Sequence, residues 1–106
     1  MASCTQLNID TLAKALKVLS EPNRLNILCS MGLECTPVSA IIEDTGLSQT
    51  NVSFHLRIMR EAGLVKGERR GAFIYYCLYD TTLLTLLEEM NQWLDTSTHK
   101  AAGSKK

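Results

Sequence analysis

Histidine is scarce in this 106-residue chain, which has only His55 and His99. Its four cysteines, Cys4, Cys29, Cys35 and Cys77, form no Cys-x-x-Cys pair. No apolar run approaches the roughly 20 residues of a membrane span. The longest candidate, "LLTLL", is stopped by Glu88 and Glu89. The start, "MASCTQLNID", has no basic region followed by an apolar stretch, so no signal peptide is expected. Each absence excludes a class. An enzyme needs a nucleophile with a base in reach, or a metal with an open position. One histidine in a helical stretch and one in the tail offer neither, and no resident cofactor is expected. A structural zinc site is poorly supported, and so is a secreted disulfide scaffold. The expectation is a soluble cytoplasmic protein, neither enzyme nor membrane protein.

Net charge is also lacking, with 11 basic residues against 11 acidic ones. The distribution is uneven. From Ser48 to Gly71 the positives Arg57, Arg60, Lys66, Arg69 and Arg70 face only Glu61 and Glu68, a net of +3. Lys100, Lys105 and Lys106 make the tail basic, so the rest of the chain is acidic. A basic middle on an acidic body is a local electrostatic footprint of the kind that nucleic acid selects, and the whole-chain charge hides it.

Hydrophobic residues make up 45% of the chain, enough for one core in one small domain. Three segments are expected: a flexible start over residues 1–6, a folded domain over 7–96 and a disordered basic tail over 97–106. Leu12, Leu16 and Leu19 recur at helical spacing, with Asn8 or Asp10 as a cap. A second helix runs to Gly32, with Ser20 as a possible cap and Pro22 in its first turn. Its apolar residues nearly encircle the axis, which predicts a well-buried helix. A short third helix covers about 37–45. Ser48 caps a fourth that ends at Gly63. Two short helices separated by "TGLS" are a helix-turn-helix signature. The stretch "LVKGERRGAFIYYCLYD" reads as a β-hairpin turning near Arg70 and Gly71, and a last helix covers 81–94. The fold expected is mainly α with a β-hairpin wing: a winged helix-turn-helix with an extra helix at each end.

Around the fourth helix, Val52, Leu56 and Met59 form the core stripe, while Thr50, Phe54, Arg57 and Glu61 lie opposite, with Ser53 on the flank. The N-terminal part of such a helix meets base edges in the major groove. Gln49 and Asn51 suit adenine, Arg57 suits guanine, and Ser48, Thr50 and Ser53 suit bases or phosphates. Phe54 can touch a thymine methyl or a neighbouring element. Arg60, Lys66, Arg69 and Arg70 complete the candidate interface with double-stranded DNA. Ser48 is also a plain helix cap. His55, at the edge of the core stripe, has two readings: a half-buried group bonded locally, or a phosphate contact. In the wing, strand alternation turns Ile74, Tyr76 and Leu78 to the core and Phe73, Tyr75, Cys77 and Tyr79 outward. Cys77 is then expected to be an exposed thiol, the reactive kind if its pKa is lowered.

"LSQTNVSFHLRIMREAGLV" followed by "RRGAFIYYCL" resembles the ArsR/SmtB family of dimeric winged-helix repressors. The Leu-Ser-Gln start, the Ser-x-His-Leu step, the Arg-Glu-Ala-Gly-Leu-Val exit and the Tyr-Tyr of the second wing strand carry the match. "LKVLSEPNRLNIL" is similar to the family's run from first to second helix, and the resemblance covers about residues 10–95. It implies a homodimer paired through the first and last helices, a palindromic operator, and release on inducer binding. Leu12, Leu16, Leu83, Leu87, Met90 and Trp93 are the implied dimer residues; Trp93 has intramolecular packing as its other reading.

The resemblance also sets out what an inducer would need. The arsenic and cadmium sensors carry Cys-x-Cys in the third helix, where this chain has Pro37 and Ser39. The zinc, cobalt and nickel sensors use Asp/His clusters in the last helix, which here has no histidine. Redox and persulfide sensors keep a second-helix cysteine, matched by Cys29, but their partner in the last helix is missing. A partner for Cys29 must come from Cys4, Cys35 or Cys77. Three options stand open. Three thiolates bind a thiophilic metalloid such as arsenite or antimonite; two thiols form a disulfide or polysulfide bridge; or no cysteine senses anything and Cys29 is a small core hydrophobe. A winged helix used only for protein contacts is the rival to DNA binding.

Overall fold

The computed structural model describes residues 4–99, with side chains described over residues 5–96. A 3-10 turn, Cys4–Gln6, precedes α1 (Ile9–Leu19), α2 (Pro22–Met31), β1 (Thr36–Pro37), α3 (Val38–Thr45) and α4 (Gln49–Glu61). Then come β2 (Val65–Arg70), β3 (Phe73–Leu78) and α5 (Thr82–Trp93), which continues as a wider helical turn over Leu94–His99. Helical backbone therefore extends past the boundary expected at residue 96. Residues 100–106, with the basic tail's three lysines, lie outside the described residues.

The helix starts follow their caps. Asn8 accepts from the Thr11 amide at the head of α1, and Ser48 accepts from the Asn51 amide at the head of α4. Each satisfies an amide that helix geometry leaves without a partner. Ser20 does not cap α2. Its hydroxyl donates to the Lys17 carbonyl at the end of α1, and the Glu21 carboxylate takes the N-cap role instead. The Asp80 carboxyl accepts from the Thr82 amide at the start of α5, which holds its pKa below the ordinary aspartate value.

The core is one cluster. Ile27, Leu28 and Met31 of α2 meet Ile41 of α3, and Val52, Leu56 and Met59 of α4, and Val65 and Leu78 close it from the wing. The expected stripe of α4 is thus the stripe that is buried. Removing a side chain such as Leu56 from a site like this costs about 2–5 kcal/mol. α2 is less enclosed than its composition suggests. Cys29 on that helix is exposed, because α5 lies only loosely beside it.

The hairpin joins β2 and β3 with Arg70 opposite Phe73, leaving Gly71 and Ala72 as the two-residue turn. Gly71 has φ 64°, and no residue other than glycine has a positive φ among those described. This pattern, positive at the first turn position only, suits the twist of the two strands. The third strand was not foreseen. β1 pairs antiparallel with β3, Thr36 opposite Tyr76 and Pro37 opposite Tyr75, so the sheet order is β1-β3-β2. As an edge strand, β1 can hold a proline that a central strand could not.

α1 and α5 contribute no fully buried residue. Leu12, Leu16, Leu86, Met90, Trp93 and Leu94 stand exposed, Trp93 by 59%. Leu83 and Leu87, named with them as implied dimer residues, lie half-buried beside the chain's own core. Their helical phase turns them inward, while Leu86 takes the outer position.

Candidate DNA interface and thiol cluster

With Val52, Leu56 and Met59 buried, the opposite face of α4 is fixed. Ser48, Gln49, Thr50, Asn51, Ser53, Phe54, Arg57 and Arg60 are all exposed. The Arg57 guanidinium sits 5.9 Å from the centre of the Phe54 ring, a cation–π contact one turn along the helix. This pairing places an apolar plate and a five-donor fork side by side at the middle of the face. α3 packs against α4 from behind, with Gly46 in the left-handed conformation (φ 74°) between them.

His55 departs from the phosphate-contact expectation. It is 7% exposed. Its Nδ1 accepts from Arg24 Nε at 3.2 Å, and Arg24 also donates through Nη1 to the Val18 carbonyl at 3.1 Å. The imidazole therefore looks inward and fastens α4 to the α1–α2 junction. A helix rotates about 100° per residue, which carries His55 from the flank to the core side while Phe54 stays out. The two rings meet edge to face at 5.3 Å.

In the wing, Lys66, Arg69 and Arg70 are exposed. Arg69 is opposite Ile74 and shares the face of Val65 and Leu78, while Lys66 and Arg70 project from the other face. Arg70 stacks on Tyr75 at 4.6 Å and bonds Glu68 at 3.3 Å; Lys66 lies 5.7 Å from the Tyr79 ring. These half-exposed contacts add little stability, but they set where the cations stand.

Alternation was right about the face of Cys77 and wrong about its exposure. Cys77 is on the outer face, yet only 6% exposed. The cause is β1. One step beyond the Thr36–Tyr76 pair, Cys35 falls opposite Cys77, and the two are joined in a disulfide with Cα atoms 4.3 Å apart. Thr36 secures this approach by donating to the Met31 and Glu34 carbonyls at 3.3 and 3.1 Å. Glu68 Oε1 lies 3.6 Å from Cys35 Sγ and 3.8 Å from Cys77 Sγ.

In the sequence Glu68 stands out only as one of two negative charges in the basic segment. The two-residue turn held the signal, since it puts Glu68 on the face of Cys77, two positions along. Cys29 is not part of this group. It lines an apolar cleft of about 530 Å³ between α2 and α5, with Leu25, Leu84, Leu87 and Met90 among its walls. Its exposure also excludes the core-hydrophobe reading within one chain. The Cys4 side chain lies outside the described residues. A set of three thiolates is not assembled among the described residues.

Residues 21–66, from the start of α2 into the wing, match the family model described as "Bacterial regulatory protein, arsR family". The arsenical resistance operon repressor of Bacillus subtilis is 36% identical over 76 residues, covering 69% of this chain and 70% of that protein. The chain belongs to the ArsR family. It is also 42% identical over 78 residues to the HTH-type transcriptional regulator NmtR of Mycobacterium tuberculosis, covering 74% of this chain and 65% of that protein's length. Among solved structures, a homodimeric winged helix-turn-helix DNA-binding domain from Mycobacterium bovis superposes with a TM-score of 0.74 at 26% identity, covering 88% of this chain and 89% of that one. The ArsR family comprises DNA-binding transcriptional regulators rather than enzymes. Among the described residues no helix is long and apolar enough to cross a membrane. In this ArsR-family chain Pro37 lies in β1 and Ser39 in α3, so the α3 start carries no sulfur beyond Cys35 just ahead of it.

The two neighbours on α4 separate by experiment. His55→Ala leaves the Arg24 Nε partnerless and lowers unfolding free energy by about 1–3 kcal/mol. Arg57→Ala stays within about 0.5 kcal/mol of wild type, as an exposed substitution does. Chemical denaturation of both variants checks this. Equal destabilisation would contradict the inward role of His55.

Proposed function

We propose that this ArsR-family chain is a cytoplasmic, homodimeric transcriptional repressor that holds a palindromic DNA operator and leaves it when its cysteine thiols react with an inducer. One observation carries the DNA part. On a chain of zero net charge, the exposed face of α4 offers only hydrogen-bonding groups, Phe54 and arginines over its first three turns, and it continues into the wing's cations. In this reading Gln49, Asn51 and Arg57 address base edges, Phe54 a thymine methyl, and Ser48, Thr50, Ser53, Arg60, Lys66, Arg69 and Arg70 bases or phosphates. His55 acts from the inside, through its bond to Arg24 and its packing. The apolar faces of α1 and α5, with Leu12, Leu16, Leu86, Met90 and Trp93, join two copies, as the homodimeric neighbour's description supports. A two-fold axis would repeat the α4 face on a palindrome.

The thiol part rests on Cys35 and Cys77. Their joining ties the segment that starts α3 to the strand that ends the wing, so oxidation changes how helix-turn-helix and wing sit on DNA. With hydrogen peroxide as oxidant, both thiols lose their protons, one S–S bond forms, the O–O bond breaks and two waters leave. A reactive sulfur species can take the same two electrons. A thiophilic metalloid such as arsenite or antimonite would need a third ligand, and among the described residues no third sulfur stands beside the pair.

Fluorescence anisotropy with the duplex upstream of the protein's own gene tests DNA binding. Affinity for the reduced protein should fall about 10³–10⁵-fold between 50 and 200 mM salt if 6–10 phosphates are contacted. Arg57→Ala should weaken it by roughly 5–150-fold, and Arg69→Ala should lessen the salt slope. If no duplex binds, the DNA reading fails.

Sedimentation of Trp93→Ala combined with Met90→Ala should show a shift towards monomer at concentrations where the wild type is dimeric. A variant as dimeric as wild type would remove α5 from the interface. Peroxide should release wild-type protein from DNA and leave Cys35→Ser and Cys77→Ser bound. Equal release from the double serine variant would sink the Cys35–Cys77 switch.

A further inference from the structure

We propose that Cys35, Cys77 and Glu68 form, once the disulfide is reduced, a binding site for a divalent thiophilic cation of the zinc or cadmium class. The inference deepens the thiol reading above, because the same two sulfurs serve both states. The ligand atoms of these three residues lie within 4.8 Å of one another. A tetrahedral ion with metal–sulfur bonds of about 2.3 Å and metal–oxygen bonds of about 2.0–2.2 Å sets sulfur–oxygen edges of about 3.6 Å. Glu68 Oε1 stands 3.6 and 3.8 Å from the two sulfurs. The carboxylate thus already occupies the third corner of such a tetrahedron, and only the sulfurs need to part.

The donor set favours this class of ion. Two thiolates and a carboxylate suit borderline and soft divalent cations, whereas a purely oxygen-seeking ion would not select sulfur. Arsenite fits less well, because among the described residues no third sulfur joins the cluster. The surroundings are favourable as well. Two thiolates and a carboxylate around a dication carry one net negative charge, and Lys66, directly across from Cys77, and Arg70, bonded to Glu68, stand beside it. The Glu68 side chain is 50% exposed, which leaves an entry path and room for water as a fourth ligand. The backbone also restrains the donors: Cys77 and Glu68 are on paired strands, and β1 brings Cys35 to them.

A phosphine reductant takes the oxygen of one water as the S–S bond breaks, giving two thiols and the phosphine oxide. The cation then displaces two thiol protons and forms two metal–sulfur bonds. A bound metal and a disulfide exclude each other, so occupancy shields the pair from oxidants.

The test is a cadmium titration of the full-length chain, reduced with a water-soluble phosphine and kept anaerobic, with no DNA present. Sulfur-to-metal charge-transfer absorbance should rise to one equivalent per chain. It should be lost in Cys35→Ser, in Cys77→Ser and in the unreduced wild type, and be unchanged in Cys29→Ser. Glu68→Gln should keep the absorbance but weaken affinity by at least about tenfold, since loss of even an outer-shell partner costs that much. No charge-transfer absorbance in the reduced wild type would overturn the site, as would a wild-type titration from the double serine variant or from Glu68→Gln. Because the readout needs no DNA, failure of peroxide-driven release with this titration intact would refute the switch and leave the metal site standing.

Discussion

Two backbone pairs, Thr36 with Tyr76 and Pro37 with Tyr75, join the helix-turn-helix to the wing. β1 leads directly into α3, and β3 is the central strand of the sheet, so these pairs fix the position of α3 relative to β2 and β3. α4 packs on α3 and on the wing's inner face through Val52, Leu56 and Met59 against Val65 and Leu78. The exposed face of α4 and the wing's cations therefore belong to one rigid surface. The same two pairs bring Cys35 to Cys77, so one short stretch of pairing positions both that exposed surface and the sulfur cluster.

His55 and Arg24 add a second fastening. A polar pair in a core is favourable only when its bonding is complete. Here the imidazole accepts from Arg24, and Arg24 reaches the Val18 carbonyl that ends α1. One side chain, Arg24 of α2, thus ties α1 and α4 together. Phe54, one residue earlier, faces out and stacks with Arg57. Neighbouring positions on one helix thus divide the work: one sets the helix in place and the other presents it.

The outer helices follow different rules. α1 and α5 have apolar stripes that the single chain does not bury, unlike α2, α3 and α4, which share the core. Stripes of this kind on a small domain mark an interaction surface. The cleft between α2 and α5 that exposes Cys29 belongs to the same unfilled region. The chain thus separates two kinds of sulfur: Cys29 near the apolar faces, and Cys35 with Cys77 on the sheet beside Glu68.

The sequence by itself determined the five main helices and the hairpin, their order and the inward stripe of α4, because spacing, caps and turn residues are local properties. Ser48 and Asn8 act as caps, the hairpin turns at Gly71, and Val52, Leu56 and Met59 are buried. The parity of the wing strand was also legible, and it put Cys77 on the outer face. Tertiary structure alone decided the rest. β1 is two residues long, too short for any periodicity, and its pairing spans some forty positions, so neither the burial of Cys77 nor its union with Cys35 could be read locally. The part of Glu68 follows from that same long-range pairing. His55 turned inward because Arg24, thirty-one residues away, supplied its partner. Leu83 and Leu87 lie half-buried because packing on the core set which face of α5 turns inward.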